Sequence, residues 1–141
     1  MELLLVIVIA GIALGMVSLS LRPGEARALQ DDAARLAALM QLAGDEAILR
    51  DRSILLEADA QGYRFFVRAQ DAWQPLNDDR LLRSRHFSQV VQLRLQPDGT
   101  GGAVRIVFEP QPVGRPFDLR LSAGDASADI HADGLGQYVV E

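Results

Sequence analysis

From Leu3 to Leu21 the chain reads LLLVIVIAGIALGMVSLSL, without one charged side chain. At about 1.5 Å per residue, a helix of that length reaches roughly 28 Å, close to the ~30 Å hydrocarbon core of a bilayer. A helix satisfies its own backbone hydrogen bonds in lipid, so the run is expected to be a transmembrane helix over 3–21. A cleaved secretory signal would begin with basic residues and close on a small-residue cleavage site. Here Glu2 stands before the run and no Ala-x-Ala pattern follows it, which favours a retained helix.

The pattern changes at Pro23-Gly24, where a kink or brief unwinding is expected. Beyond it, Leu29, Ala33, Leu36, Met40, Ala43 and Ala47 recur at spacings of three and four, one stripe of an amphipathic helix over 25–52. Asp31 with Arg35, and Glu46 with Arg50, are spaced to pair along its polar side. Gly44 weakens a helix, so close packing is expected there. The stripe consists largely of small residues, which suits a helix lying against a sheet better than a coiled coil.

After Arg52 the period becomes two. Ser53 to Ala58 and Tyr63 to Ala69 flank Asp59-Ala60-Gln61-Gly62, the turn of a hairpin. Val91, Leu93 and Leu95 alternate with polar residues, and Pro97-Asp98-Gly99 is a turn. Val104, Ile106 and Phe108 alternate again, as do Phe117, Leu119 and Leu121. Ile130 and Tyr138 to Val140 suggest two last strands, with Gly124-Asp125 and Asp133-Gly134 as turns, and the proline-rich Glu109 to Pro116 reads as an ordered loop. About seven short strands without a second helix predict two packed antiparallel sheets. The expected fold class is therefore α+β: a long N-terminal helix, residues 1–52, on a β-rich head, residues 53–141.

Composition narrows the function. Hydrophobic residues make up 49% of the 141, but 16 of the first 21, so the remainder is as polar as an ordinary soluble domain. The 14 basic residues are all arginine against 19 acidic ones, and a net charge of −5 argues against general nucleic-acid binding. Residues 121–141 hold four acidic residues and no arginine or lysine. Without cysteine, a disulfide framework and thiolate metal sites are excluded.

The opening Glu2-Leu3-Leu4-Leu5-Val6-Ile7-Val8-Ile9-Ala10-Gly11-Ile12-Ala13 resembles the start of type IV pilins and type II secretion pseudopilins. In that family a basic leader ending in glycine precedes Phe-Thr-Leu, a further apolar residue and the glutamate; prepilin peptidase removes the leader and methylates the new terminus. Met1 stands here in the apolar slot, and the leader and Phe-Thr-Leu are expected upstream of it in the precursor. The resemblance implies that Glu2 neutralises the terminal amine of an adjacent subunit. It also implies that Leu3, Leu4, Val6, Ile7, Ile9, Ala10, Gly11 and Leu14 pack among other transmembrane helices. A second stretch, Gly44-Asp45-Glu46-Ala47-Ile48-Leu49-Arg50-Asp51-Arg52 with Trp73-Gln74-Pro75-Leu76 after a hairpin, resembles the H-type minor pseudopilin. The Ile106-Val107-Phe108-Glu109-Pro110 and Phe117-Asp118-Leu119 strands fit it too. That resemblance implies a pilin-like subunit of the periplasmic pseudopilus near its tip, held in the bacterial inner membrane. Its implied partners are the I-, J- and K-type minor pseudopilins and the major pseudopilin, with no cofactor. A type IV pilus minor pilin, serving assembly, adhesion or DNA uptake, has the same layout.

Chemistry elsewhere is sparse. No Gly-x-Ser-x-Gly, Walker loop or His-Glu-x-x-His occurs, so no enzyme is expected. Asp129, His131 and Asp133 alternate and could share a strand face, but a polar face beside an Asp-Gly turn explains the same residues without metal. Arg80, Arg83, Arg85 and His86 form a basic cluster largely offset by Asp78 and Asp79, expected as a solvated loop. Trp73 and Phe87 are expected in the core.

Overall fold

The computed structural model describes residues 2–141, with side chains from Gly24 onward apart from Thr100. Helix α1, Glu2–Arg50, is followed by β1 (Ile54–Ala58), β2 (Gly62–Ala69), β3 (Ala72–Pro75), β4 (Arg85–His86) and β5 (Gln92–Gln96). Next come β6 (Thr100–Gly101), β7 (Val104–Phe108), β8 (Phe117–Ala123), β9 (Ala126–Ala132) and β10 (Tyr138–Val140). One sheet has the order β3-β2-β1-β7, with β4 also on β2; the other runs β10-β9-β8-β5-β6. The described pairings are antiparallel. This is the α+β arrangement of one long helix and two antiparallel sheets.

The expected stripe is the spine of the core. Leu29, Ala33, Leu36, Met40, Ala43 and Ala47 are each 0% exposed. They lie with residues of both sheets in one hydrophobic cluster. Leu56, Phe65, Ile106 and Phe108 come from the first sheet, and Leu93, Leu119, Leu121 and Ile130 from the second. The sheets also meet through rings, Phe108 and Tyr138 being 6.5 Å apart. Alternation explains why β5 and β7 contribute in turn: Leu93, Leu95, Val104, Ile106 and Phe108 point inward, while Arg94, Arg105 and Val107 point out.

One acid sits within the apolar stripe. Asp32 is buried, and its carboxylate accepts hydrogen bonds from the Ser88 amide at 2.9 Å and the Ser88 hydroxyl at 3.0 Å. That clamp ties the 87–91 loop to the helix, aided by Gln89 Nε2 donating to the Glu25 carbonyl at 3.1 Å. Asp59 closes the β1–β2 turn by accepting from the Gln61 and Gly62 amides at 2.8 and 3.0 Å, and these bonds hold its carboxyl below the usual range. Gly62 has no room for a side chain: a Cβ there would lie 2.2 Å from the Arg85 carbonyl of the adjoining β4.

Several expectations need correction. Pro23 lies outside the residues whose side chains are described, but Gly24 is already helical and the helix continues unbroken to Arg50. Glu46 pairs with Arg50 at 2.7 Å, whereas Asp31 and Arg35 form no such bridge. Gly44 is not tightly packed, since the nearest atom to a Cβ placed there is the Phe108 ring at 4.0 Å. Trp73 is only half-buried, under the Arg68 guanidinium 5.6 Å from the ring, because β3 is an edge strand with one dry neighbour. Phe87 does enter the core, 5.3 Å from Tyr63. Strands β3, β4 and β6 went unforeseen: they are two to four residues long, too short for an alternation to show.

Candidate functional site

Glu2, Leu3, Leu4, Val6, Ile7, Ile9, Ala10, Gly11 and Leu14 have side chains outside the described residues. Among the described residues no helix is long and apolar enough to cross a membrane.

The alternating Asp129, His131 and Asp133 do not converge. Asp129 receives the Arg120 guanidinium through two bonds, 2.7 and 2.9 Å, which hold its carboxyl below the usual range. Asp133 accepts from the Leu135 and Gln137 amides at 2.7 and 3.0 Å and so shapes its turn. There Gly134 adopts φ +80°, with the Gly114 carbonyl 2.8 Å from where a Cβ would sit. His131 lies between Asp118 on Nδ1 and Glu141 on Nε2, 3.1 Å for the latter. Those carboxylates, Asp118 first, raise its pKa above the usual imidazole value. No group of three potential metal ligands forms among the described residues.

The basic loop is also structured. Asp79 accepts from the Leu81 and Leu82 amides at 2.9 and 3.0 Å and meets Arg50 at 3.2 Å. Its carboxyl is held low chiefly by those amides, so its charge serves the loop and the helix end, not the neighbouring arginines. Leu82 is buried as a plug, Arg80 and Arg83 are exposed, and Arg85 is half-buried with its Nε lacking a partner.

A groove of about 420 Å³ opens at the far end of the head. Gly44, Asp45 and Ile48 of α1 form one wall, and Arg105 to Glu109, Gln96 to Asp98 and Gly114 to Phe117 form others. Ile48, Val107, Val113 and Leu135 stand around it, half of the eight large hydrophobic side chains exposed on the described surface. Sequence reasoning missed it because it assembles from four separated segments, each ordinary alone. Asp32 was also missed, though an acid at stripe spacing between Leu29 and Leu36 was a readable sign of a buried anchor.

A long helix whose one face carries two antiparallel sheets, with polar groups engaged in loops and strand pairs, is the α+β arrangement of a pilin-like fold. The chain belongs to the family described as Type II transport protein GspH, which matches residues 32–136. Among solved structures it is similar to the type IV minor pilin FimU of Pseudomonas aeruginosa, strain PAO1. The TM-score is 0.61 at 19% identity, over 83% of this chain and 90% of that one, a likeness of fold. No curated protein matches the chain.

Proposed function

We propose that the chain is a structural minor pseudopilin of type II secretion, assembling near the tip of the periplasmic pseudopilus that moves folded proteins across the outer membrane. The observation that carries this reading is the family match across 32–136, and the uncharged run from Leu3 to Leu21 agrees with it. In this reading residues 3–21 anchor the subunit in the inner membrane with the head in the periplasm. Leu3, Leu4, Val6, Ile7, Ile9, Ala10, Gly11 and Leu14 then pack among the helices of the I-, J- and K-type and major pseudopilins. Glu2 meets a neighbour's terminal amine, because a carboxylate at the edge of lipid is costly unless a cation compensates it. The work is non-covalent and needs no cofactor.

A full-length Glu2→Ala chain, expressed with its sibling subunits, is expected to insert in the membrane normally and to lose co-purification with them. Co-purification at the wild-type level would contradict the role of Glu2. The fold shared with FimU favours a second reading, a minor subunit of a type IV pilus. Deleting the chain in its host separates the two: export of folded proteins is expected to fail while surface pili persist, and the reverse result assigns it to the pilus.

A further inference from the structure

Strand β7 is the outer strand of its sheet. One edge pairs with β1, from Val104 opposite Ala58 to Phe108 opposite Ile54, and no described backbone bond joins its other edge to anything. Five consecutive residues, Arg105 to Glu109, line the groove or its rim. Successive residues of a strand point to opposite faces, so a cavity touching all of them lies along the edge. Such an edge is a template for another strand unless it is blunted. β7 contains no proline, and its one charge, Arg105, is turned toward Glu57 at 3.7 Å. Pro97, also in the lining, offers no N–H, whereas β7 lines the groove with consecutive residues of an edge strand.

The groove's chemistry states what fits. Ile48, Val113 and Leu135 offer apolar contacts that no described residue covers, each at least 47% exposed. Glu109 is engaged by the Ser53 hydroxyl at 2.7 Å, whereas Asp45 and Asp98 have no salt bridge among the described residues; of the two arginines in the lining, Arg105 is turned to Glu57 and Arg115 has no salt bridge among the described residues. The excess is acidic. From Gly24 to Gln41 the helix rises roughly 25 Å, so the groove stands well away from the apolar run and out of reach of lipid.

We propose that the free edge of β7 receives an extended segment of a neighbouring filament subunit. The segment adds as a strand, sets apolar side chains against Ile48, Val113 and Leu135, and brings a lysine or arginine to Asp45 and Asp98. Strand addition of this kind takes affinity from main-chain hydrogen bonds and selectivity from the pockets for alternate side chains. The proposal rests on the filament reading, from which the test separates it.

The chain has no cysteine, so Val107→Cys carries a single thiol-attached photocrosslinker at the groove, and Leu81→Cys, 53% exposed and outside the groove, carries the same label as a control. Full-length chains are assembled in membranes with the sibling pilin subunits, and hydrogen exchange is compared between chain and complex. Crosslinks to a sibling from position 107 and not from 81 are expected, with the 104–108 amides exchanging at least about tenfold more slowly in the complex, as newly paired amides do. Leu135→Glu should cut recovery of the complex by about tenfold by setting a charge against an apolar contact, while Leu49→Glu, outside the groove, should not. Complexes that form without a crosslink from 107 overturn this proposal and leave the filament reading standing. A crosslink without slowed exchange overturns strand addition, and one to a second copy or to lipid overturns the occupant. Failure to recover any complex overturns both.

Discussion

The two halves of the long helix are written for different surroundings. Between Leu3 and Leu21 the sequence is uncharged and mostly aliphatic, with no period to mark an inner face. Beyond Gly24 the apolar residues fall on one side, where Leu29, Leu36 and Met40 meet the sheets, and Gln30, Asp31, Arg35 and Gln41 stay exposed. A uniformly apolar surface is tolerated where everything around it is apolar; a stripe is needed where one side faces water. The upper half therefore belongs to the head's own core, and in the proposed function the lower half makes its contacts with other molecules.

Large-to-small changes break this comparison most sharply. Leu36→Ala or Met40→Ala removes a fully buried side chain and is expected to cost about 2–5 kcal/mol in head stability, read from urea unfolding of the full chain in detergent. Leu14→Ala, by contrast, should leave head unfolding unchanged; an equal loss at Leu14 would mean the lower half also packs on the head. Asp32→Ala leaves the part-buried Ser88 amide and hydroxyl without their charged acceptor, an expected loss of about 1–3 kcal/mol, with faster hydrogen exchange confined to the 87–91 loop. Gly44→Ala has the opposite sign. With only the Phe108 ring at 4.0 Å, the new methyl group fits, and a gain of up to about 1 kcal/mol should appear as a higher unfolding midpoint.

The smallest effect is electrostatic. Asp118 and Glu141 raise the pKa of His131, so its pairing stabilises the β8, β9 and β10 region below the unfolded imidazole value and is lost as pH rises through the raised one. A proton-resonance titration of His131 should show the upward shift, and Glu141→Gln should reduce it. A midpoint at or below the unperturbed value would contradict the pairing. Exposure and salt keep its consequence for stability slight.

The helix stripe, the Asp59 hairpin and the β5, β7 and β8 alternations were legible because each is a local pattern that burial enforces. What stayed hidden was relational. Trp73 looked like a core residue, but its strand lies at the sheet's edge, a fact of topology. The metal-like spacing of Asp129, His131 and Asp133 says nothing of the Arg120, Asp118 and Glu141 side chains that occupy them across strands. The groove at Ile48, Val107 and Leu135 exists only once the segments from α1, β7 and the 133–137 turn come together. Gly44, conspicuous in the sequence, turns out to border that open groove, and the helix tolerates it there.

The contrast between the halves is tested most directly by single cysteines in the full-length chain, held in sealed vesicles and challenged with a membrane-impermeant thiol reagent. Leu14→Cys should stay unmodified until detergent is added, while Ala38→Cys, on the exposed side of the upper half, should react at once from the head's side of the bilayer. Equal reaction at both positions in intact vesicles, or release of the protein by alkaline washing, would contradict an anchored helix carrying its head in water.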